Sequence, residues 1–250
     1  MRIGLIGAGN MASALARGLG EPVVVSDIDR ARAEALAHEV GGEVARSNVS
    51  AAATDAVVLA HKPAQLAAVA AEIRDEARAV ISILGGVPVA AVEEAYPDRP
   101  VYRFMPSIPV EVRQGVVCYA PGTRAAEGPE KEIRELFGRL GTLIELPESS
   151  IDAATAVMSC GPAFYSLVIE ALVDAGVAHG LTPDLAGTMA VESMAGTATV
   201  LRQTGNDTRE LRRRVTSPGG MTARGLAALE RGGIRAAFED AVAAVVGGGR

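Results

Sequence analysis

The sequence predicts an α/β N-terminal domain of the doubly wound type, built on a mostly parallel sheet, followed by an all-α C-terminal domain. Three observations carry that prediction. Short β-rich runs alternate with Ala-rich segments of helical spacing through the first half. A glycine turn separates the first run from the first helical segment. From Ser150 onward the apolar residues recur at the helical period and no strand-like run remains. The expected division is 1–148 for the α/β domain and 149–250 for the helical one.

The elements follow in order. The first strand-like run, 2–6, leads into GAGNMA, Gly7 to Ala12, and then an amphipathic segment. This is G-x-G-x-x-G/A in the context that gives the pattern meaning, after a strand and before a helix. Gly7 permits the tight turn, Gly9 lets a pyrophosphate approach the backbone, and Ala12 allows close helix-to-strand packing while the helix N-terminus faces phosphate. Asn10 and Met11 open that helix and join Gly7 and Gly9 as candidate cofactor-binding residues.

The same fingerprint calls for an acidic residue about twenty positions on, after the second strand, to bind the adenosine ribose. The run 23–26 supplies the strand and Asp27 the carboxylate. A carboxylate there disfavours a 2′-phosphate and leans toward NAD, whereas Arg30 is placed to accept such a phosphate or to lie solvated on the next helix. The first domain therefore reads as an NAD(P)-binding Rossmann domain, leaning to NADH.

The run 57–60 is followed by AHKPAQ, which puts Lys62 at the carboxyl edge of the sheet, where a cofactor lies. Lysine occurs only here and at Lys131 in a chain rich in arginine. Further strands are expected at 79–83, 101–104, 115–120 and 142–146, with the loop MPSIP after 101–104, a charged helix near 125–138 and a linker at 147–150.

In the helical half, Phe164, Leu167, Val168, Ala171, Leu172 and Ala175 share one face, and Ile234, Ala237, Phe238, Ala241, Val242 and Val245 another. A helix over 183–203 opens on Pro183 and is small and apolar around most of its circumference. Such a helix is expected to be buried nearly all round, and a bundle of this size has little interior, so a second copy of the chain is expected to cover it.

Composition excludes other classes. A net charge of −6 leaves no basic footprint for nucleic acid. No window of about 18 residues is apolar and free of charge and glycine, so no membrane span is expected and the chain is read as cytoplasmic. Cys118, Cys160 and three scattered histidines offer neither disulfide framework nor metal site.

Taken together, GAGNMA, HKPAQ, SILGGVP, RFMPSIP, SCGPAF and VTSPGGMTARGLAALERGG resemble, in order and over almost the whole chain, the pyrroline-5-carboxylate reductase family. The resemblance implies reduction of the C=N bond of 1-pyrroline-5-carboxylate to proline by NAD(P)H, in a homodimer, with assembly beyond the dimer left open. It implies that Ser217, Gly219, Gly220, Met221 and Thr222 hold the substrate carboxylate. Thr222 would hydrogen-bond near the ring nitrogen as the catalytic residue, orienting rather than donating a full proton; capping the next helix is its plainer role. It also implies that Ala60, Lys62 and Pro63 line the cofactor cleft and that Met105, Pro106 and Ser107 approach the nicotinamide.

Three positions depart from the family pattern: Ser107 replaces an asparagine, His61 an aliphatic residue, and SCGPAF a more usual SG-x-GPA. They leave open another cyclic imine as substrate, or a dinucleotide-binding regulatory paralogue without turnover. A hydroxy-acid dehydrogenase of similar plan would carry a catalytic lysine in its helical half, and no lysine follows Lys131.

Overall fold

A computed structural model describes residues 1–247. It forms two compact units, Met1–Pro162 and the helices from Ala163 onward. The first carries one eight-stranded sheet in the order β3-β2-β1-β4-β5-β6-β7-β8. Its strands are β1 (Ile3–Ile6), β2 (Val23–Ser26), β3 (Glu43–Val44), β4 (Ala56–Leu59), β5 (Val80–Ser82), β6 (Val101–Pro106), β7 (Gly115–Pro121) and β8 (Gly141–Glu145). All pairs are parallel except β6 with β7. Chain order reverses direction at β1, which lies between β2 and β4. In open α/β sheets a ligand binds in the crevice at such a switch point.

Helices α1 (Asn10–Leu19), α2 (Arg30–Val40), α3 (Asn48–Ala52), α4 (Leu66–Ile73), α5 (Val89–Ala95) and α6 (Glu130–Gly138) belong to this unit. The sheet separates two apolar cores, as near-continuous aliphatic strands buried on both faces require. In the first core Phe104 stacks between Tyr119 and Phe137, with centroids 4.7 and 4.1 Å away. The second core takes in Ile151 and packs against Ala154 and Met158.

That packing carries the first compact unit on to Pro162. The expected linker is also pinned. Arg103, only 3% exposed, donates to Glu148 Oε1 at 2.5 Å, and the Val89 N–H donates to the same oxygen at 2.9 Å. Short helix α7 (Ile151–Ala154) then runs through a π-helical turn, Thr155–Ser159.

Two other expectations shift. The two-residue strand β3 is too short to announce itself in a sequence pattern. The charged helix starts at Glu130, because Pro129 separates it from a 3₁₀ turn at Ala125–Glu127.

The second unit contains α8 (Gly161–Ala178, which begins in the first unit), α9 (Pro183–Gln203), α10 (Thr208–Val215), α11 (Met221–Arg231) and α12 (Ile234–Gly247). Among its described residues only Ala186 is fully buried. The all-round burial expected of α9 is not met within one chain: Met189 is 53% exposed, and Leu167 and Leu172 on α8 are 64% and 56% exposed. The run Glu148–Ala178 is long and apolar enough, by length and composition, to cross a membrane, with mean hydropathy 1.6.

Helix α1 meets the 3₁₀ turn Ile108–Val112 at close range. A Cβ added to Gly18 would lie 2.1 Å from the Val110 carbonyl oxygen. Arg113, in the left-handed region at φ 57°, donates from Nε to the Gly18 carbonyl at 2.8 Å and so closes the end of α1. Gly18→Ala is expected to force α1 off this turn and lower stability by about 1–3 kcal/mol, read from the midpoint of urea unfolding.

Candidate dinucleotide cleft

The residues that hold the cleft together are those of the β1–α1 turn. Gly7 has φ 106°, and a Cβ there would sit 2.6 Å from the Ala60 carbonyl oxygen, so only glycine lets the turn press against the end of β4. Its N–H donates to the Ser26 carbonyl at 2.8 Å, and the Ala60 N–H donates to the Ile6 carbonyl at 2.8 Å. The turn is thus tied to β2 on one side and β4 on the other. Gly9 is open on its Cβ side, with no protein atom within 4 Å.

Gly9 caps α1, and the first intrahelical bond of that helix runs from Ser13 to the Gly9 carbonyl. The N–H groups of Asn10, Met11 and Ala12 precede it and have no intrahelical acceptor. They form the positive end of a ten-residue helix beside open space.

Around this turn lies a cleft of about 830 Å³. It brings together Gly7, Gly9, Asn10, Met11, Asp27, Arg30, Ala60 and Lys62, and it adds residues the sequence did not single out for a ligand: Ile28, Arg32, Arg46, Asn48, His61 and Gln65.

The cleft fits a dinucleotide on several counts. Ile28 is 96% exposed on its wall, an apolar side chain left for a flat ring to cover. Asp27 sits at the β2 end, its Oδ2 accepting from the Ala8 N–H at 2.6 Å and its Oδ1 from the Asp29 N–H at 2.8 Å. His61 pairs Nδ1 with the Lys62 carbonyl at 2.9 Å, while Nε2 is buried with no partner among the described residues. Burial disfavours the charged imidazolium and pulls the His61 pKa below its ordinary 6.5. With its proton on Nδ1, the orphaned Nε2 is an acceptor suited to a hydroxyl or amide donor. The exposed Lys62 and Pro63 open the 3₁₀ turn Pro63–Gln65 beneath α4, with the Lys62 N–H donating to Gln65 Oε1 at 3.1 Å.

The MPS segment differs from expectation. Met105 is 5% exposed and packs in the second core. The Pro106 carbonyl accepts from Ser159 Oγ at 3.2 Å. Ser107 is 2% exposed, and its hydroxyl donates to the Val116 carbonyl at 3.1 Å while accepting from the Val116 N–H at 2.9 Å. Its side chain is therefore occupied in holding β6 to β7 and is not available to grip a carboxamide. None of these three residues is among those lining the cleft.

The Ser-Pro-Gly-Gly loop belongs to the second unit and joins α10 to α11. Gly219 has φ 69°, and a Cβ on Gly220 would lie 2.4 Å from Ser217 Oγ. The Gly220 N–H donates to the Ser217 carbonyl at 3.0 Å, closing a tight turn. Gly220 is the N-cap of α11, so Thr222 is the second helical residue and not the cap. Arg224 is the first residue of α11 whose N–H reaches back, to the Gly220 carbonyl. The N–H groups of Met221 and Thr222 precede it, and both residues are exposed. A turn of this kind, ending on the positive end of a helix, suits a small anion.

No cluster of three or more His, Cys, Asp or Glu among the described residues is arranged to hold a metal. Cys118 is buried, which pushes its thiol pKa up.

Comparison with known proteins finds relatives over almost the whole chain. Residues 148–248 match the family model for pyrroline-5-carboxylate reductase dimerisation, and residues 2–86 that for coenzyme F420-dependent NADP oxidoreductase. The chain is 37% identical to pyrroline-5-carboxylate reductase of Methanosarcina acetivorans, covering 96% of this chain and 94% of the relative. It is 35% identical to that of a Synechocystis species, covering 98% and 95%. The crystal structure of the Streptococcus pyogenes reductase superposes with a TM-score of 0.92 at 26% identity, over 100% of this chain and 98% of that one. The Plasmodium falciparum reductase, described with NADP bound, gives 0.88 at 28% identity, over 100% and 97%.

Ser107→Ala would leave the Val116 N–H without its acceptor. It is expected to lower stability by about 1–3 kcal/mol while leaving dinucleotide affinity unchanged, measured by denaturation and by titration of the same variant.

Proposed function

The chain belongs to the pyrroline-5-carboxylate reductase family, and from that premise we propose that it reduces the C=N bond of 1-pyrroline-5-carboxylate to L-proline with NAD(P)H. The observation that carries this reading is the pairing, in one chain, of a dinucleotide cleft at a β1 switch point with a Ser-Pro-Gly-Gly turn suited to a carboxylate. The dihydronicotinamide, when bound, supplies the hydride. That hydride would be taken up at the imine carbon, with the ring nitrogen taking its proton from solvent or arriving already protonated.

The protein's own part is positioning. Gly7, Gly9, Asn10 and Met11 receive the pyrophosphate, Asp27 the adenosine ribose, and Ala60, Lys62 and Pro63 the edge of the cleft. Ser217, Gly219, Gly220, Met221 and Thr222 hold the substrate carboxylate. The Gly220 N–H already serves the turn, so the donors to an anion are those of Met221 and Thr222, with Ser217 Oγ close to Gly220. The Thr222 hydroxyl orients the ring nitrogen by a hydrogen bond. It is too weak an acid at neutral pH to donate its proton outright.

The carboxylate of Asp27 tilts cofactor choice toward NADH. The exposed apolar faces of α8 and α9 are covered in a homodimer, which gives the Glu148–Ala178 run a protein partner in place of a lipid one. Operation in the cytoplasm accords with that arrangement and with a small-molecule substrate.

The test is oxidation of NADH and of NADPH, followed by absorbance, on adding 1-pyrroline-5-carboxylate to purified protein. Rapid oxidation with proline as product is expected; dinucleotide binding without oxidation would refute the reductase assignment. Thr222→Ala is expected to reduce kcat by roughly ten- to a hundredfold, the worth of one hydrogen bond to a charged centre, with cofactor affinity unchanged. An unaltered kcat in that variant would remove Thr222 from the reaction.

A further inference from the structure

We propose that Arg46 grips the 2′-phosphate of NADPH, and that this chain thereby accepts the phosphorylated dinucleotide in spite of Asp27. The inference rests on the dinucleotide-cleft reading above and adds the residue that sets cofactor choice.

Strand register brings the two side chains to one edge. Val24 pairs with Glu43 and Val25 with Val44, and the Ala45 N–H continues the ladder to the Val25 carbonyl at 2.8 Å. Two residues beyond Val25 is Asp27, and two beyond Val44 is Arg46. They leave the carboxyl ends of adjacent parallel strands, whose spacing is about 4.8 Å. Both line the same cleft.

An Asp and an Arg that leave adjacent strands at one sheet edge are placed to form an ion pair. Instead each Asp27 oxygen accepts from a backbone N–H, of Ala8 and of Asp29. Arg46 is exposed and has no hydrogen-bond or ion-pair partner among the described residues.

The other cations of the cleft have carboxylate neighbours in the chain or lie elsewhere. Arg30 pairs with Glu34 at 2.7 Å and Arg32 with Asp29 at 3.3 Å. Lys62 follows β4, on the far side of β1 from the adenosine edge. The remaining carboxylate, Glu72, accepts from Asn48 Nδ2 at 2.8 Å.

The backbone that carries Arg46 is fixed. Asn48 Oδ1 accepts from Ser26 Oγ at 2.7 Å, and Ser47 and Ser50 exchange side-chain and backbone bonds across the start of α3. Only the Arg46 side chain has to move to meet a ligand. A guanidinium presents paired N–H donors that match two oxygens of a phosphomonoester. Within this cleft a phosphate on the ribose 2′-oxygen, next to the residue that reads that ribose, is the group such a fork selects.

The test uses the full chain carrying Arg46→Ala or Arg46→Lys, titrated calorimetrically with NADP⁺, NAD⁺, 2′,5′-ADP and 5′-AMP. For Arg46→Ala, affinity for NADP⁺ and 2′,5′-ADP is expected to fall about tenfold or more, the scale of one charge-assisted contact. NAD⁺ and 5′-AMP should change by less than about twofold, and Arg46→Lys should recover part of the loss. Equal losses for the phosphorylated and unphosphorylated ligands, no loss at all, or a selective loss on Arg30→Ala in place of Arg46→Ala would each overturn the proposal. Binding is read without an imine. Selective loss in a chain that reduces no imine would uphold Arg46 while refuting the reductase reading, and an active reductase whose NADPH affinity ignores Arg46 would do the reverse.

Discussion

The first unit depends on one close approach, that of the Gly7 turn to the end of β4. With a Cβ at Gly7 the turn could not lie against Ala60, and three consequences would follow together. The Ala8 N–H would leave the Asp27 carboxylate, the N-terminus of α1 would swing away from the sheet edge, and the space beside Gly9 would lose its floor. A backbone constraint of this kind is cheap to encode, since it needs only glycine at a positive φ, yet it fixes where three separate strands end relative to one another.

Around that turn most polar groups are spent in advance. Asp27 is held by two N–H donors, Asn48 by Ser26 and Glu72, and Arg30 and Arg32 by neighbouring carboxylates. A cleft whose polar side chains are already oriented loses less freedom on binding than one that must order them. Against that background the side-chain groups of the cleft that have no partner among the described residues, which include the Arg46 guanidinium, the Lys62 ammonium and His61 Nε2, are the ones open to a ligand. Arg103 with Glu148 is a different case: buried and tied to the start of α5, it fastens the chain as it leaves the sheet and touches no part of the cleft.

Much of this was legible in the sequence, for identifiable reasons. GAGNMA between a strand and a helix, and Asp27 at the right interval, are read easily because the dinucleotide turn demands specific residue types at specific places. The helices from Pro183 to Gln203 and onward are read from period and caps. Arg46 was not legible, since it follows a strand of two residues that leaves no alternation to detect, and only the β2–β3 register brings it beside Asp27. The role of Ser107 in joining β6 to β7 is not legible either, since only the strand pairing shows that its short hydroxyl turns back on Val116. Thr222 was a plausible cap by residue type, but the flexible Gly220 takes that position.

The contrast between the units bears on how the chain matures. Met1–Pro162 closes two cores using only its own residues, so completing them calls for no second chain. The helices from Ala163 on bury almost nothing of their apolar faces by themselves, and in the proposed dimer their cover comes from encounter with another chain. Assembly of that half is then second order: slow in dilute solution, faster as synthesis raises the local supply of newly made chains. During that interval the exposed faces of α8 and α9 are what a chaperone, or an unwanted neighbour, would meet first.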